Sequence, residues 1–594
     1  MEFELIAVAA AIILVGASIL GGKIRVAAPL LLVVLGIGIG YLPFVPLVEV
    51  DPEIILVVVL PPLLYAAAVN VPIIDFRRNF RPVIALSVVL VIISAVVVGF
   101  VVHWLIPDIP LAATIALGAV ISPTDAVAAT SIGKRLGMPE RVVSILEGES
   151  LVNDATSLVL LKTAIAAVAG TFSLPTATGS FFYSVTVALA VGLVVGLVTV
   201  WLRSKLTSPV HDTIVSFVVP FIAFIPAEEL HASGVLAVVV TGLYTGHHSS
   251  KRFTASARMN ERLNWRTVQF ILENGVFLIM GLQLHSLVEQ VGESELRLEH
   301  VGLLSLALVA ILIVCRAAFM APLIAGLRGV ARQYERRQAG YEHLNERVQS
   351  SGIAERAESE EDGRLSERLR RLDIRTRRSA ADLDHEREQA LGWRDGAVLS
   401  WSGMRGVVTL AAAQSIPTTV PYRPQLVLAA FAVAVITLLL HGLTLPAFIR
   451  RLWPDGTGSG RGKAELIALS KDLFEAADEA IDDALFDQPQ SDANSEPDPK
   501  RQEAEEAAVG RARASARNAL LPMAMAAAPT APIDVQGPES PGRMYQRLAR
   551  VALEAQREAL LEERAIGRYS SQALRAAELA LDAYEARLTP QGGH

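Results

Sequence analysis

Two short segments of the sequence place carboxylates, hydroxyls and an amide inside runs that are otherwise apolar. The first is Ser122-Pro123-Thr124-Asp125; the second is Glu147-Gly148-Glu149-Ser150-Leu151-Val152-Asn153-Asp154-Ala155-Thr156-Ser157. An ionisable side chain at the middle of a membrane span costs about 2.5–3.5 kcal/mol on insertion scales, so such a group is kept where it acts. A proline followed by Thr-Asp frees backbone carbonyls and helix ends, which a membrane tolerates only where they line a protein cavity or an ion site. Helical spacing puts Ser150 and Asp154 on one face with Ser157 a turn further on, and Glu149 and Asn153 on the neighbouring stripe. All of these donors are hard oxygens with no soft ligand among them, the set that suits a small hard cation. A carboxylate so placed can hold the cation or a proton, never both. The competing reading is that the polar groups only bind helices together, and for Thr156 and Ser157 it is preferred. For Asp125 and Asp154, two carboxylates in adjacent spans, the ion site is preferred.

Later runs carry cations at matching depth. Arg316 lies in Leu312-Ile313-Val314-Cys315-Arg316-Ala317-Ala318-Phe319, and Arg405 in Trp401-Ser402-Gly403-Met404-Arg405-Gly406-Val407-Val408. A guanidinium buried in lipid needs a carboxylate partner, and Glu149 is the candidate for Arg316. Glu273-Asn274-Gly275 lies near the cytoplasmic end of its run, where a carboxylate is cheaper and the functional and structural readings balance.

These residues belong to a chain of 594 residues that is 52% hydrophobic and 19% charged, too apolar for a purely soluble or disordered protein. A net charge of −7 gives no sign of a nucleic-acid-binding surface. The single cysteine, Cys315, excludes an internal disulfide framework and a Cys-based zinc cluster. At about 20 apolar residues per crossing, spans are expected near 4–21, 26–42, 53–69, 83–106, 111–131, 142–169, 180–202, 212–228, 231–246, 266–287, 301–326, 394–416 and 423–449. The fold class expected is an all-α polytopic membrane protein with about thirteen transmembrane helices.

The N-terminal run follows Met-Glu-Phe-Glu and precedes Lys23 and Arg25, the opposite of a cleaved signal peptide, so it reads as an uncleaved span. Arg77/Arg78/Arg81, Lys134/Arg135/Arg141, Arg203/Lys205 and Lys251/Arg252/Arg258/Arg262 fall, with Lys23/Arg25, in alternate loops, which are therefore expected in the cytoplasm. This puts the N-terminus outside and the C-terminus inside. The expected organisation is a membrane domain from two stretches, 1–327 and 394–450, with a charged helical insertion at 328–393 and a cytoplasmic tail at 451–594. Tail residues 463–486 and 543–588 read as amphipathic helices separated by polar linkers such as Gln488-Pro489-Gln490-Ser491, and the apolar patch Leu520–Ala528 is too short to cross a membrane. Solvated helices that pack on the membrane domain or pair with a second copy are the preferred reading of both soluble parts.

With spans one to six and eight to thirteen taken as halves, the fifth element of each is the irregular one: Ser122-Pro123-Thr124-Asp125 in the first and Ser402-Gly403-Met404-Arg405-Gly406 in the second. An offset of seven spans makes the halves opposite in orientation. Corresponding breaks in two inverted six-helix repeats point to a transporter with its site at the midplane.

Ser122-Pro123-Thr124-Asp125, Gly148-Glu149-Ser150-Leu151-Val152-Asn153-Asp154 and Gly403-Met404-Arg405-Gly406-Val407 resemble the signature segments of the monovalent cation:proton antiporter-1 family, the bacterial NhaP-type Na+/H+ antiporters related to eukaryotic sodium/proton exchangers. Leu60-Pro61-Pro62-Leu63-Leu64-Tyr65 and the surroundings of Arg316 fit the same pattern, and the resemblance covers roughly 1–450. It implies a homodimeric antiporter of the bacterial inner membrane, without cofactors, whose moving core contains broken spans five and twelve. It further implies that Asp154 binds sodium or a proton, assisted by Asp125, the Ser150 hydroxyl and the Thr124 carbonyl. Asn153, the Glu149–Arg316 pair and Arg405 would stabilise the core. An Asn-Asp pair, where electrogenic relatives carry Asp-Asp, implies electroneutral exchange. Two positions depart from the pattern: Ala66 stands where many members have an acid, and Ala126 where proline is common.

Na+ or Li+ is the expected cation, with K+ as the alternative because oxygen ligands alone do not fix size selectivity. An intramembrane aspartyl protease could also use two aspartates in adjacent spans, but its Gly-x-Gly-Asp motif is replaced here by Leu151-Val152-Asn153-Asp154. His247-His248 lacks further ligands at useful spacing, and His103 and His285 read as interfacial, structural residues.

Overall fold

In the computed structural model helices are the only regular secondary structure among the described residues, which are all except 1, 25, 44–50, 171–173, 207, 293–297, 351–362, 407, 455–458, 487–498, 521–540 and 589–594. The helices are α1 (Glu2–Ile24), α2 (Ala28–Gly40), α3 (Leu60–Asn70), α4 (Ile73–Arg78), α5 (Phe80–Ile84), α6 (Val91–Leu105), α7 (Leu111–Ile121), α8 (Val127–Leu136), α9 (Glu140–Val168), α10 (Leu174–Arg203) and α11 (Pro209–Glu229). There follow α12 (Gly234–Arg252), α13 (Ala255–Gly292), α14 (Leu298–Ser350), α15 (Gly363–Glu388), α16 (Trp393–Trp401), α17 (Val408–Gln414), α18 (Arg423–Leu452), α19 (Ser459–Phe486), α20 (Pro499–Ala519), α21 (Pro541–Ile566) and α22 (Ser571–Leu588). Turns of π-helix at Ile54–Val59 and Ala85–Leu90 lead into α3 and α6.

The chain divides into two compact units, the first made of Met1–Arg252, Asn260–Val330 and Gln389–Thr457. It contains every predicted site residue. Among the described residues seven helices are long and apolar enough to cross a membrane alone: Phe80–Leu105, Glu140–Val168, Thr178–Arg203, Pro209–Glu229, Ala255–Val291, Leu298–Leu327 and Arg423–Leu452. Val8–Ile24, Ala28–Gly40, Ile54–Asn70 and Leu111–Ile121 are shorter apolar helices. The unit is an integral, multi-pass membrane structure. Its larger apolar cluster gathers residues such as Leu117, Ile145, Leu308, Leu410 and Phe431 around the two interrupted spans. A separate cluster centres on Tyr65, Ala223, Val238 and Trp265. Close helix contact substitutes for a hydrophobic drive in lipid, and α6 meets α7 where Gly118 leaves no room for a Cβ against the Ala95 backbone.

The second unit comprises Phe253–Met259, Ala331–Glu388 and Gly458–His594. Ala477, Ile481, Ala512, Ala516, Leu548 and Ala552 form a small-residue core between α19, α20 and α21, and α15 packs on α21. Arg258 pairs with Asp582, which also accepts Arg557 at 3.0 Å. Two features differ from the sequence pattern. The stretch expected as one helix at 543–588 is two, because Gly567 turns the chain at φ 77°, and α20 lies in a segment where no helix was expected. Composition changes sharply near residue 328, yet α14 continues to Ser350, since the charged residues that follow keep helical spacing. The 488–491 linker and residues 521–528 of the apolar patch lie outside the described residues.

Candidate ion site

Both irregular segments are true interruptions of a helix. α7 stops at Ile121, residues 123–126 are non-helical, and α8 starts at Val127, because Pro123 has no N–H to continue the ladder. The carbonyls this leaves are met from two sides: the Ser122 hydroxyl donates to Gly118 O at 2.6 Å, and Arg405 Nε donates to Ile121 O at 3.0 Å. Asp125 Oδ1 accepts the Val127 N–H at 2.8 Å, covering the exposed start of α8. In the later segment α16 stops at Trp401 and α17 begins at Val408. Here the Ser402 hydroxyl donates to Val398 O at 2.7 Å, and the Arg405 N–H donates to Thr437 Oγ1 on α18 at 3.2 Å.

The two interruptions meet backbone to backbone: the Asp125 N–H donates to Met404 O at 2.8 Å. Gly406 sits so close to Asp125 that an added Cβ would collide with the carboxylate. Ala126, in place of proline, leaves an N–H that reaches towards Ser150 Oγ at 3.4 Å.

α9 supplies the other wall. Arg316 grips Glu149 with two nitrogens, Nη1 to Oε1 at 2.5 Å and Nη2 to Oε2 at 2.8 Å, while its Nε donates to Leu399 O at 2.7 Å. Both side chains are almost fully buried. The Thr124 hydroxyl donates to Glu149 Oε1 at 2.7 Å, and the Asn153 amide donates to Thr124 O at 2.9 Å and to its Oγ1 at 3.1 Å. Thr124, Glu149, Asn153 and Arg316 thus form one polar network that ties α9 and α14 to the first interruption.

Asp154 stands apart from that network. No hydrogen bond or salt bridge engages its carboxylate among the described residues, and Asp125 lies within electrostatic reach of it. Ser150, one turn earlier, lies on the same face. Asp125 and Thr124 at the first interruption and Ser150 and Asp154 on α9 contribute hard oxygens only, the donor type that suits a monovalent cation. Among the described residues no group of three His, Cys, Asp or Glu side chains is placed to hold a metal ion. Thr156 and Ser157 act as helix ties: their hydroxyls donate to Val152 O at 3.3 Å and to Ala119 O at 2.8 Å.

The evenly balanced Glu273 turns out to be buried on α13, holding Gln269 at 2.6 Å and lying within electrostatic reach of Asp125. The signal available in the sequence was its acid type inside an apolar run; helix packing was needed to aim it. Ala66 is fully buried on α3 and supplies no ligand. His103 Nδ1 lies 2.8 Å from Ile109 O, His285 lies 3.5 Å from Glu289, and His248 stacks on Tyr244, so each histidine has a local partner. A second buried ion cluster escaped the sequence reading. Arg203 binds Asp212 through Nε at 2.7 Å and Nη2 at 2.9 Å, and Glu261 through Nη1 at 2.5 Å. In the sequence Arg203 reads as a loop charge, and nothing marks Asp212 or Glu261.

Comparison with known proteins points to cation/proton exchange. The transmembrane sodium/hydrogen exchanger family matches residues 8–451. An uncharacterised Na+/H+ exchanger of Mycobacterium tuberculosis is 29% identical over 460 residues, covering 76% of this chain and 75% of that protein. A sodium, potassium, lithium and rubidium/H+ antiporter of Bacillus pumilus is 34% identical over 264 residues, 43% of this chain and 39% of that one. In fold, the chain is similar to the sodium/proton antiporter MjNhaP1 of Methanocaldococcus jannaschii, with a TM-score of 0.54 and 14% identity over 76% of this chain and 99% of the other. The relatives are exchangers and antiporters, which makes this protein a transporter, not an enzyme. Its crossed interruptions, its neutralised Glu149–Arg316 pair and this match across most of its length make the chain a member of the sodium/hydrogen exchanger family.

Proposed function

We propose that the protein exchanges Na+ or Li+ for H+, one for one, with Asp154 as the carboxylate that carries either ion. The observation that carries this reading is the contrast between Glu149, held by Arg316 and Thr124, and Asp154, which no protein donor neutralises. Asp125, the Ser150 hydroxyl and the Thr124 carbonyl complete the cation's oxygen shell, while Asn153 and Arg405 hold the two interruptions in register. Cation and proton compete for a single carboxylate, so each crossing of the core carries one or the other, and the neighbouring amide of Asn153 adds no second charge. The orientation places the N-terminus outside and the tail in the cytoplasm of a bacterial inner membrane, and the working unit is a homodimer.

Dequenching of a pH-sensitive dye in everted vesicles on addition of Na+, Li+ or K+ tests the proposal. Na+ and Li+ should dissipate the gradient, and Asp154→Asn should lower the response to background. Unchanged exchange in that variant, or a clear dependence on membrane potential, would overturn the assignment of the site or the stoichiometry. The breadth of cations in the name of the Bacillus relative supports K+ as a second substrate; a K+ response comparable to that for Na+ would favour it.

A further inference from the structure

Lys134 on α8 and Glu147 on α9 form an ion pair, Nζ to Oε1 at 2.6 Å, whose side chains stay partly open, 61% and 27% exposed. Glu147 precedes Asp154 by two helical turns, so the two carboxylates share a face of α9 about 10 Å apart along its axis. From Arg141 to Ser157 every residue of α9 is buried except Ser144, Glu147, Ser150 and Asp154. Spacings of three, three and four residues draw these into one polar stripe. Beyond Asp154 the next open positions, Leu158, Val159 and Leu160, are apolar, so the polar stripe ends at that carboxylate.

α8 borders the stripe at two levels. Lys134 meets Glu147, with the exposed Ser131 one turn before it, and at the start of the helix the Ala126 N–H reaches Ser150 Oγ at 3.4 Å. A lysine, two carboxylates and serine hydroxyls turned towards hydrocarbon would be expensive. This face therefore meets water and ions. A cation moving along it passes Glu147 two turns before it reaches Asp154, and Lys134 sets how much of the Glu147 charge that cation feels.

We propose that Glu147 is an entry carboxylate for the cation on its way to Asp154, with Lys134 as the counter-charge that moderates it; this rests on Asp154 as the carrier and on residues 134–141 facing the cytoplasm. A pair that merely staples α8 to α9 would respond to loss of either partner in the same direction. An entry pair responds in opposite directions. In everted vesicles, Glu147→Gln should raise the Na+ concentration for half-maximal exchange roughly threefold to tenfold, and Lys134→Gln should lower it by a similar factor, with maximal rates near wild type. Access along the stripe is read separately, in a full-length chain carrying Cys315→Ser. There Ser144→Cys should react with a membrane-impermeant cationic methanethiosulfonate added to everted vesicles, and Ala155→Cys, buried off the stripe, should not. The proposal is overturned if the two shifts are not opposed, or if Ser144→Cys stays unlabelled from that side. Labelling is measured as a mass increase and needs no transport, so it should persist in Asp154→Asn. Exchange that survives Asp154→Asn would instead sink the carrier assignment, so the two failures are told apart.

Discussion

The membrane unit holds two buried ion clusters, and the position of the arginine distinguishes them. In the Arg203 cluster the guanidinium reaches both carboxylates, two nitrogens on Asp212 and one on Glu261. At the crossing, Arg316 spends both terminal nitrogens on Glu149 and its Nε on a backbone carbonyl, leaving Asp125 and Asp154 to each other. A buried salt bridge is weak evidence for stability in itself, but removal of one partner strands the other. An arginine therefore decides which carboxylates remain chemically available. On the proposed mechanism Glu149 is structural because Arg316 claims it, and Asp154 is the ion carrier because no protein cation engages it.

The sharpest break of this comparison is Arg316→Ala, which should abolish exchange and cost about 3–5 kcal/mol by leaving Glu149 buried and unpaired; vesicle transport and thermal unfolding in detergent read the two effects. Arg203→Ala should cost a similar amount of stability yet leave measurable exchange in the protein that folds, and full loss of exchange would erase the distinction. Gly406→Ala drives a methyl group into the Asp125 carboxylate, so exchange should fall tenfold or more, roughly the effect of overpacking by a kcal/mol or two, with expression near normal. Smaller still, Glu273→Gln removes a titratable group within electrostatic reach of Asp125 while keeping an oxygen that can accept from Gln269. It should shift the cation concentration for half-maximal exchange a few-fold, a modest change in Coulomb energy, and leave the maximal rate close to wild type.

The sequence revealed most of what lies at the crossing because membranes make polar residues conspicuous. Asp125, Glu149, Asn153, Asp154, Arg316 and Arg405 each stood out against apolar neighbours, and the pairing of Arg316 with Glu149 followed from its need for a carboxylate. Arg203, Asp212 and Glu261 were obscured by the same rule, since charges close to a span's end resemble ordinary loop charges and only helix packing shows that they are buried. Helix limits followed the apolar runs closely, as α9 and α18 show. The cytoplasmic helices were harder to read: no lipid contrast marks them, and their core of alanines has little sequence signature.

The hydrogen bond from the Asp125 N–H to Met404 O uses no side-chain atom at either end. Only proline at position 125 would delete its donor, so most side-chain changes at its two ends leave both bonding atoms in place. Side chains around it can therefore change without removing the bond. That insulation gives a physical reason why chains sharing 14% of their residues can keep a common architecture.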